Sequence, residues 1–229
     1  MFEGLNGYSP MQSEAELATQ TLNEESSLRF PSFSANDAVT LGLSLRKRFR
    51  TTSKHHKGVG MVISIQTIQG HTLFSCTVGD LGDVSGIGDV NMHAWSTLEG
   101  MINVVRQTGH SSFYVEKGMA AIGKTSSQLG IQNQYRVQGG AFPIWLENAL
   151  CCPIAVVACY SGSSSEDHRI VVTALRDYLK KMRNPSPPPP GRPPMSMNTN
   201  FVPDHVPERE SSEWIGDHAS NGLSLRPNM

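Results

Sequence analysis

The chain is poor in cysteine, with four in 229 residues, and none stands in a C-x-x-C pair. Cys76, Cys151, Cys152 and Cys159 also lack the cysteine–histidine spacing of a zinc module. The neighbours Cys151 and Cys152 do not readily bridge to each other. Three of the four thiols lie in apolar stretches that read as strands, so buried free thiols in a reducing compartment are expected. A reactive thiol at Cys151 or Cys152 is the alternative. No run of eighteen apolar residues occurs, which excludes a hydrophobic transmembrane helix. Residues 1–10 have no basic region followed by an apolar core, so no secretory signal is expected. Charge of one sign is missing too: 19 bases against 20 acids leave −1, and no strong pull toward nucleic acid or membrane follows. The strings G-x-S-x-G, H-E-x-x-H and the Walker pattern are absent. Gly86-Ile87-Gly88 lacks the third glycine of a dinucleotide fingerprint and follows a hairpin strand, which marks it as a loop. These absences leave a cytoplasmic protein with no legible reaction.

What the chain has in plenty is proline at one end. Ten of its 14 prolines fall between Pro185 and Pro227. From Asn184 to Met229 only 11 of 46 residues are hydrophobic, too few to offset the entropy of ordering the segment. The expected organisation is an N-terminal arm at 1–33, a domain at 34–183 and a disordered Pro-rich tail at 184–229. The arm carries five acids and one base, and the domain 15 bases and ten acids, so a near-zero total hides a basic domain between acidic flanks. Residues 11–28 have an imperfect apolar stripe and are expected to form a helix lying on the domain or on a neighbouring subunit.

Ser34 and Asp37 have the spacing of a reciprocal N-cap, with Phe33 as the hydrophobic residue before it. The helix that follows ends in Arg46-Lys47-Arg48-Phe49-Arg50, where cations suit the helix dipole. With Lys54, His55, His56 and Lys57 this is the strongest charge cluster. It reads as a solvated helix end; nuclear targeting or an anionic partner is the other reading. Residues 60–68 and 72–78 read as a hairpin. Met92, Trp95, Leu98, Ile102 and Val105 recur at three- and four-residue steps and share one helix face. Ser111 suits the cap of a further helix. Residues 141–146 form a strand in which Pro143 argues for an edge or a bulge. The almost wholly apolar run 153–160 is a central strand, and Ser164 to Asp167 fits the cap of a last helix. Hairpins without strict β–α–β alternation give an α+β fold with a central antiparallel sheet flanked by helices. The expected core comprises Leu41, Leu45, Val62, Ile63, Phe74, Trp95, Ile102, Ile144, Ile154, Val156, Val171 and Leu175.

Four strings occur in one order: Phe33-Ser34-Ala35-Asn36-Asp37-Ala38 through Gly42; Val104 to His110-Ser111-Ser112-Phe113-Tyr114; Gly139-Gly140-Ala141-Phe142-Pro143-Ile144; and Glu166-Asp167-His168-Arg169-Ile170-Val171-Val172. Together they resemble the haem-degrading-domain (GlcG/HbpS-like) family over residues 12–182. The resemblance implies a profilin-like fold, homo-oligomers, and haem or another tetrapyrrole as the ligand of some relatives. Two positions depart from the family pattern. Trp95 is not followed by basic residues, and Gln138 stands where a histidine usually precedes Gly-Gly. A neutral amide cannot replace imidazole as an iron ligand or acid–base group.

The implied function is an oligomeric small-molecule binding protein. The rivals are a weak haem-degrading or small-metabolite enzyme, with His168 as its acid–base group, and a ligand-free adaptor. A pocket is expected between the helix at 91–108, the Gln138-Gly139-Gly140 turn and the start of the last helix. Its polar candidates are Arg106, Ser111, Ser112, Gln138 and His168. His71, His93 and His110 are weaker single candidates. In the tail, Pro187 to Arg192 reads P-x-x-P-x-R, a polyproline pattern that suits an SH3-type partner, or a stiff spacer.

Overall fold

A computed structural model of the chain describes residues 12–81, 90, 92–132 and 135–184. The Gly86-Ile87-Gly88 loop and the Pro187–Arg192 string lie outside the described residues.

The chain opens with α1 (Glu14–Ser27), started by a capping box in which Ser13 and Glu16 satisfy each other's backbone N–H groups. A two-residue strand β1 (Arg29–Phe30) follows. Helix α2 (Ala35–Arg50) begins at the Ser34–Asp37 capping box that the sequence predicts. Phe33 meets Phe30 edge-on at 5.4 Å and fixes the entry of that helix. After the short α3 (Ser53–His56) come β2 (Met61–Thr67) and β3 (Thr72–Val78). The remaining elements are α4 (Met92–Thr108), α5 (Ser112–Ile122), a 3₁₀ turn (Ser127–Leu129), β4 (Ala141–Leu146), β5 (Ala155–Tyr160) and α6 (Ser164–Arg183).

The strands form one sheet in the order β1-β4-β5-β2-β3. Four of them are antiparallel neighbours, as expected. The sheet is mixed, because β1 adds to β4 in parallel through Arg29 opposite Trp145 and Phe30 opposite Leu146. Two residues are too short a run for an alternation pattern to reveal. Leu28 and Phe30 are buried in the core, and α1 packs on α5 of the same chain.

Alternation sends Ile63, Ile65, Phe142, Ile144, Val157 and Cys159 to one face, where α2 and α6 cover them. Val62, Ala141, Val156 and Ala158 point the other way onto α4. A strand buried on both faces is apolar throughout, which is why β5 reads as a continuous run. Of the expected core, Phe74, Trp95 and Ile154 are half-buried at its margins and the rest are buried.

Pro143 is explained by backbone parity. The carbonyls of Gly140 and Ile144 accept hydrogen bonds from Cys159 and Ile154. Odd-numbered residues of β4 therefore face away from β5, toward an edge that β1 covers only at Trp145 and Leu146. Pro143 has no donor to leave unpaired there. The N–H of Ala141, on the same side, donates to Ser112 Oγ at 3.1 Å. One hydroxyl thus closes the part of the edge that β1 does not reach.

Candidate functional site

Three of the four strings that carry the family resemblance meet where α5 and α6 begin; the first, at the start of α2, lies by Tyr178 near the other end of α6. Ser111 caps α5, accepting a hydrogen bond from the N–H of Tyr114. Ser112, fully buried, holds that helix end to β4. Gly139 donates its N–H to Glu116 Oε2 (2.8 Å) and Ser164 Oγ (2.9 Å), so the turn before β4 is tied to both helices. A Cβ on Gly139 would lie 2.6 Å from the Phe113 ring and from the Ser164 carbonyl. Gly140 has φ +132°, and a Cβ there would lie 2.3 Å from the Cys159 carbonyl. Close backbone approach requires both glycines.

Asp167 fixes the turn into α6. Its carboxylate accepts hydrogen bonds from Ser161 N (2.8 Å), Ser161 Oγ (2.5 Å) and Ser163 N (3.3 Å). The expected cap from a serine side chain is replaced by this reverse arrangement, in which the acid accepts from the turn; Ser163 makes no side-chain cap. Burial pushes Asp167 up to about 6, against the downward pull of its Ser161 hydrogen bonds.

Next to it, His168 is buried at 6% exposure. Its ring stacks on Phe113 (centroids 4.4 Å apart, planes at 19°) and lies 6.1 Å from Phe142. Glu24 Oε2 of α1 comes within 3.4 Å of Nε2, an ion-pair separation without hydrogen-bond geometry. Neither ring nitrogen has a hydrogen-bond partner among the described residues. The nearby imidazole holds the Glu24 carboxyl below its usual value; burial opposes this, and Gln20 and Arg176 assist it. His168 lines a cleft of about 260 Å³ between α1 and α6, with Leu17, Thr21, Glu24, Phe113, Arg169 and Arg176 among its walls. Imidazole, carboxylate and guanidinium groups converge there on an apolar floor, an arrangement that can bind a polar-edged small molecule or exchange a proton with it.

Residues 33–176 match the family model described as "Haem degrading protein HbpS-like". The chain belongs to this family. A UPF0303 protein of Psychromonas ingrahamii is 28% identical over 165 residues, covering 71% of this chain and 92% of that protein. The crystal structure of the Ybr137w protein superposes with a TM-score of 0.61 at 21% identity, over 72% of this chain and 89% of that one. The latter likeness shows the shared fold.

In this HbpS-like chain the predicted site residues do not all meet. Ser111, Ser112, Gly139, Gly140 and His168 gather around the starts of α5 and α6. The cleft itself is walled by α1, Phe113 and α6, and α4 contributes nothing to it, contrary to the pocket expected from the sequence. Gln138 is exposed and outside the cleft lining. Arg106 belongs to a separate network on α4: it donates to Glu99 (3.0 Å), Asn103 (2.8 Å) and Gln66 Oε1. The residues that sequence reasoning missed are Glu24, Phe113, Arg169 and Arg176. Arg169 and Arg176 lie seven apart on α6, two helical turns along one face, which was a readable signal. Glu24 comes from α1, and nothing local in the sequence assigns its partner.

The thiols divide as well. Cys159 is buried and its thiol is pushed well up by burial, whereas Cys151 and Cys152 are exposed in the β4–β5 connection, their sulfurs 3.9 Å apart. The expectation of buried thiols thus fails for this pair, because β5 starts at Ala155, beyond them. No helix of the described residues is long and apolar enough to cross a membrane. Among them no group of three or more metal-ligating side chains occurs.

Proposed function

We propose that this protein is a cytoplasmic small-molecule binding protein, assembled as a homo-oligomer, whose ligand seats at the His168 cleft. The observation that carries this reading is the His168 ring itself. Nδ1 is buried without a partner and Nε2 meets Glu24 without hydrogen-bond geometry; an unsatisfied buried polar atom costs about 1–3 kcal/mol, and the fold retains one beside a cleft. A ligand acceptor or donor at that ring would recover the loss. Arg169 and Arg176 suit an anionic edge on the ligand, and Phe113 and Leu17 an apolar body.

The family description supports a tetrapyrrole as the ligand class. In donor chemistry the site agrees: imidazole is a usual haem ligand, and two guanidinium groups suit propionates. In room it does not agree. Ligand pockets for drug-sized molecules run to roughly 300–1,000 Å³, and a haem, large among such ligands, does not fit 260 Å³. A tetrapyrrole would need α1 to move away from α6; a smaller anion would not. The Glu24–His168 pair favours the second reading, a weak enzyme using His168 for proton transfer.

Titration with ferric haem, followed by absorbance, tests the proposal. A Soret shift that saturates at one haem per chain and disappears in His168→Ala is the expected result for tetrapyrrole binding. Loss of pigment on adding a reductant would favour the enzyme. Absence of any shift would overturn the tetrapyrrole reading and leave the cleft to smaller anions.

A further inference from the structure

A second pocket lies on the other side of α5. It has a volume of about 450 Å³ and is walled by Val115, Met119, Ile122, Leu129 and Ile131, with His110 and Tyr114 at one end. Its position is separate from the His168 cleft, with which it shares no lining residue. Ile122 and Leu129 stand at its rim with 58% and 40% of their surface exposed, a high value for residues of their kind. Gly118 opens onto it: a Cβ built there meets nothing within 4 Å. A glycine in the interior of a helix costs about 1 kcal/mol against alanine, and here what it provides is space.

The polar end is built with more order than an accidental hollow needs. Glu25, only 5% exposed, reaches from α1 and places Oε2 2.9 Å from His110 Nδ1. Its other oxygen accepts the Ser111 N–H at 2.7 Å. The carboxylate is thereby fixed, and it orients the imidazole with Nδ1 toward protein and Nε2 away from it. This hydrogen bond raises the His110 pKa above its ordinary value, against the opposing effect of burial, so the ring favours its charged form. Tyr114 packs on the ring at 4.8 Å. The other polar wall groups are already engaged: Gln107 donates to the Gly130 carbonyl and Thr108 to the Val104 carbonyl. Tyr114 Oη and His110 Nε2 have no hydrogen bond among the described residues.

We propose that this pocket is a binding site for an amphipathic monocarboxylic acid, its apolar body lying along α5 over Gly118 and its carboxylate accepting hydrogen bonds from His110 Nε2–H and Tyr114 Oη–H. The donors match: His110 Nε2–H, turned away from Glu25, and Tyr114 Oη–H stand at one end of an apolar chamber. The chamber's volume falls within the range of small-molecule pockets. The inference does not rest on the His168 cleft and would survive that reading's failure.

The test is isothermal titration of the full chain with decanoate, alongside decan-1-ol as the uncharged analogue. Saturable binding of decanoate is expected, at least tenfold tighter than the alcohol. Gly118→Leu projects a side chain into the pocket from a Cβ position with nothing within 4 Å, and is expected to abolish binding while the chain stays folded by circular dichroism. His110→Gln keeps the shape, removes the charge, and is expected to weaken decanoate at least tenfold with little effect on the alcohol. Equal affinity for acid and alcohol, or unchanged binding in either variant, would overturn the proposal. So would the absence of decanoate binding together with an oligomer that Ile122→Glu dissociates, which would make the pocket a contact between copies.

Discussion

Gly140→Ala tests whether the Gly-Gly string serves backbone packing. Two separate effects oppose an alanine at this position. The backbone sits at φ +132°, where an L side chain is strained, and such strain costs of order 1–3 kcal/mol. The new methyl carbon would lie 2.3 Å from the Cys159 carbonyl and 2.7 Å from Met101 Cε. Met101 can shift, but the carbonyl cannot, because Cys159 belongs to β5 and its own N–H donates to the Gly140 carbonyl. Overpacking of this kind adds about 1–3 kcal/mol. The sum, roughly 2–6 kcal/mol, is a large part of the 5–15 kcal/mol that holds a typical domain together. Urea unfolding followed by tryptophan fluorescence reads it as a lower midpoint at unchanged slope. A Gly140→Ala variant within about 1 kcal/mol of the parent would refute the reasoning and would mean that the turn relaxes freely.

Two further outcomes follow from the same junction. Ser112→Ala removes the hydroxyl that accepts from the buried Ala141 N–H, and the orphaned donor should cost about 1–3 kcal/mol, read in the same urea experiment; a loss below about 0.5 kcal/mol would mean that water or a strand shift repairs the edge. Asp167, pushed up to about 6 from 3.8, binds its proton more tightly folded than unfolded, so its contribution to stability falls as pH rises from about 4 to 6, by about 3 kcal/mol in all; the difference in unfolding free energy between the parent and Asp167→Asn should fall over that window, and parallel curves would sink the argument.

The sequence carries most of the sheet and much less of the site, for a physical reason visible in particular residues. Caps and strand periods act over three or four positions, and Ser34–Asp37, the 61–78 hairpin and the β5 run are legible because each signal is local. Pro143 was legible as an edge signal because a missing donor is a property of one residue. The cleft depends instead on pairs far apart in the chain: Glu24 with His168, Phe113 with His168, Glu25 with His110. No periodicity links such residues.

Three of the strings behind the resemblance do lie together at the starts of α5 and α6 and the Gly-Gly turn. The resemblance misplaced Arg106, whose guanidinium serves Gln66 on β2 and Glu99 and Asn103 on α4. Adjacent glutamates on α1 reach two different histidines, Glu24 to His168 and Glu25 to His110, one at each pocket. Acids that composition describes only as a negative flank are therefore structural partners of the imidazoles. Any ligand entering the His168 cleft must replace or accommodate Glu24. The last turn of α1 thus serves both places: Glu24 faces the His168 cleft and Glu25 holds the His110 ring.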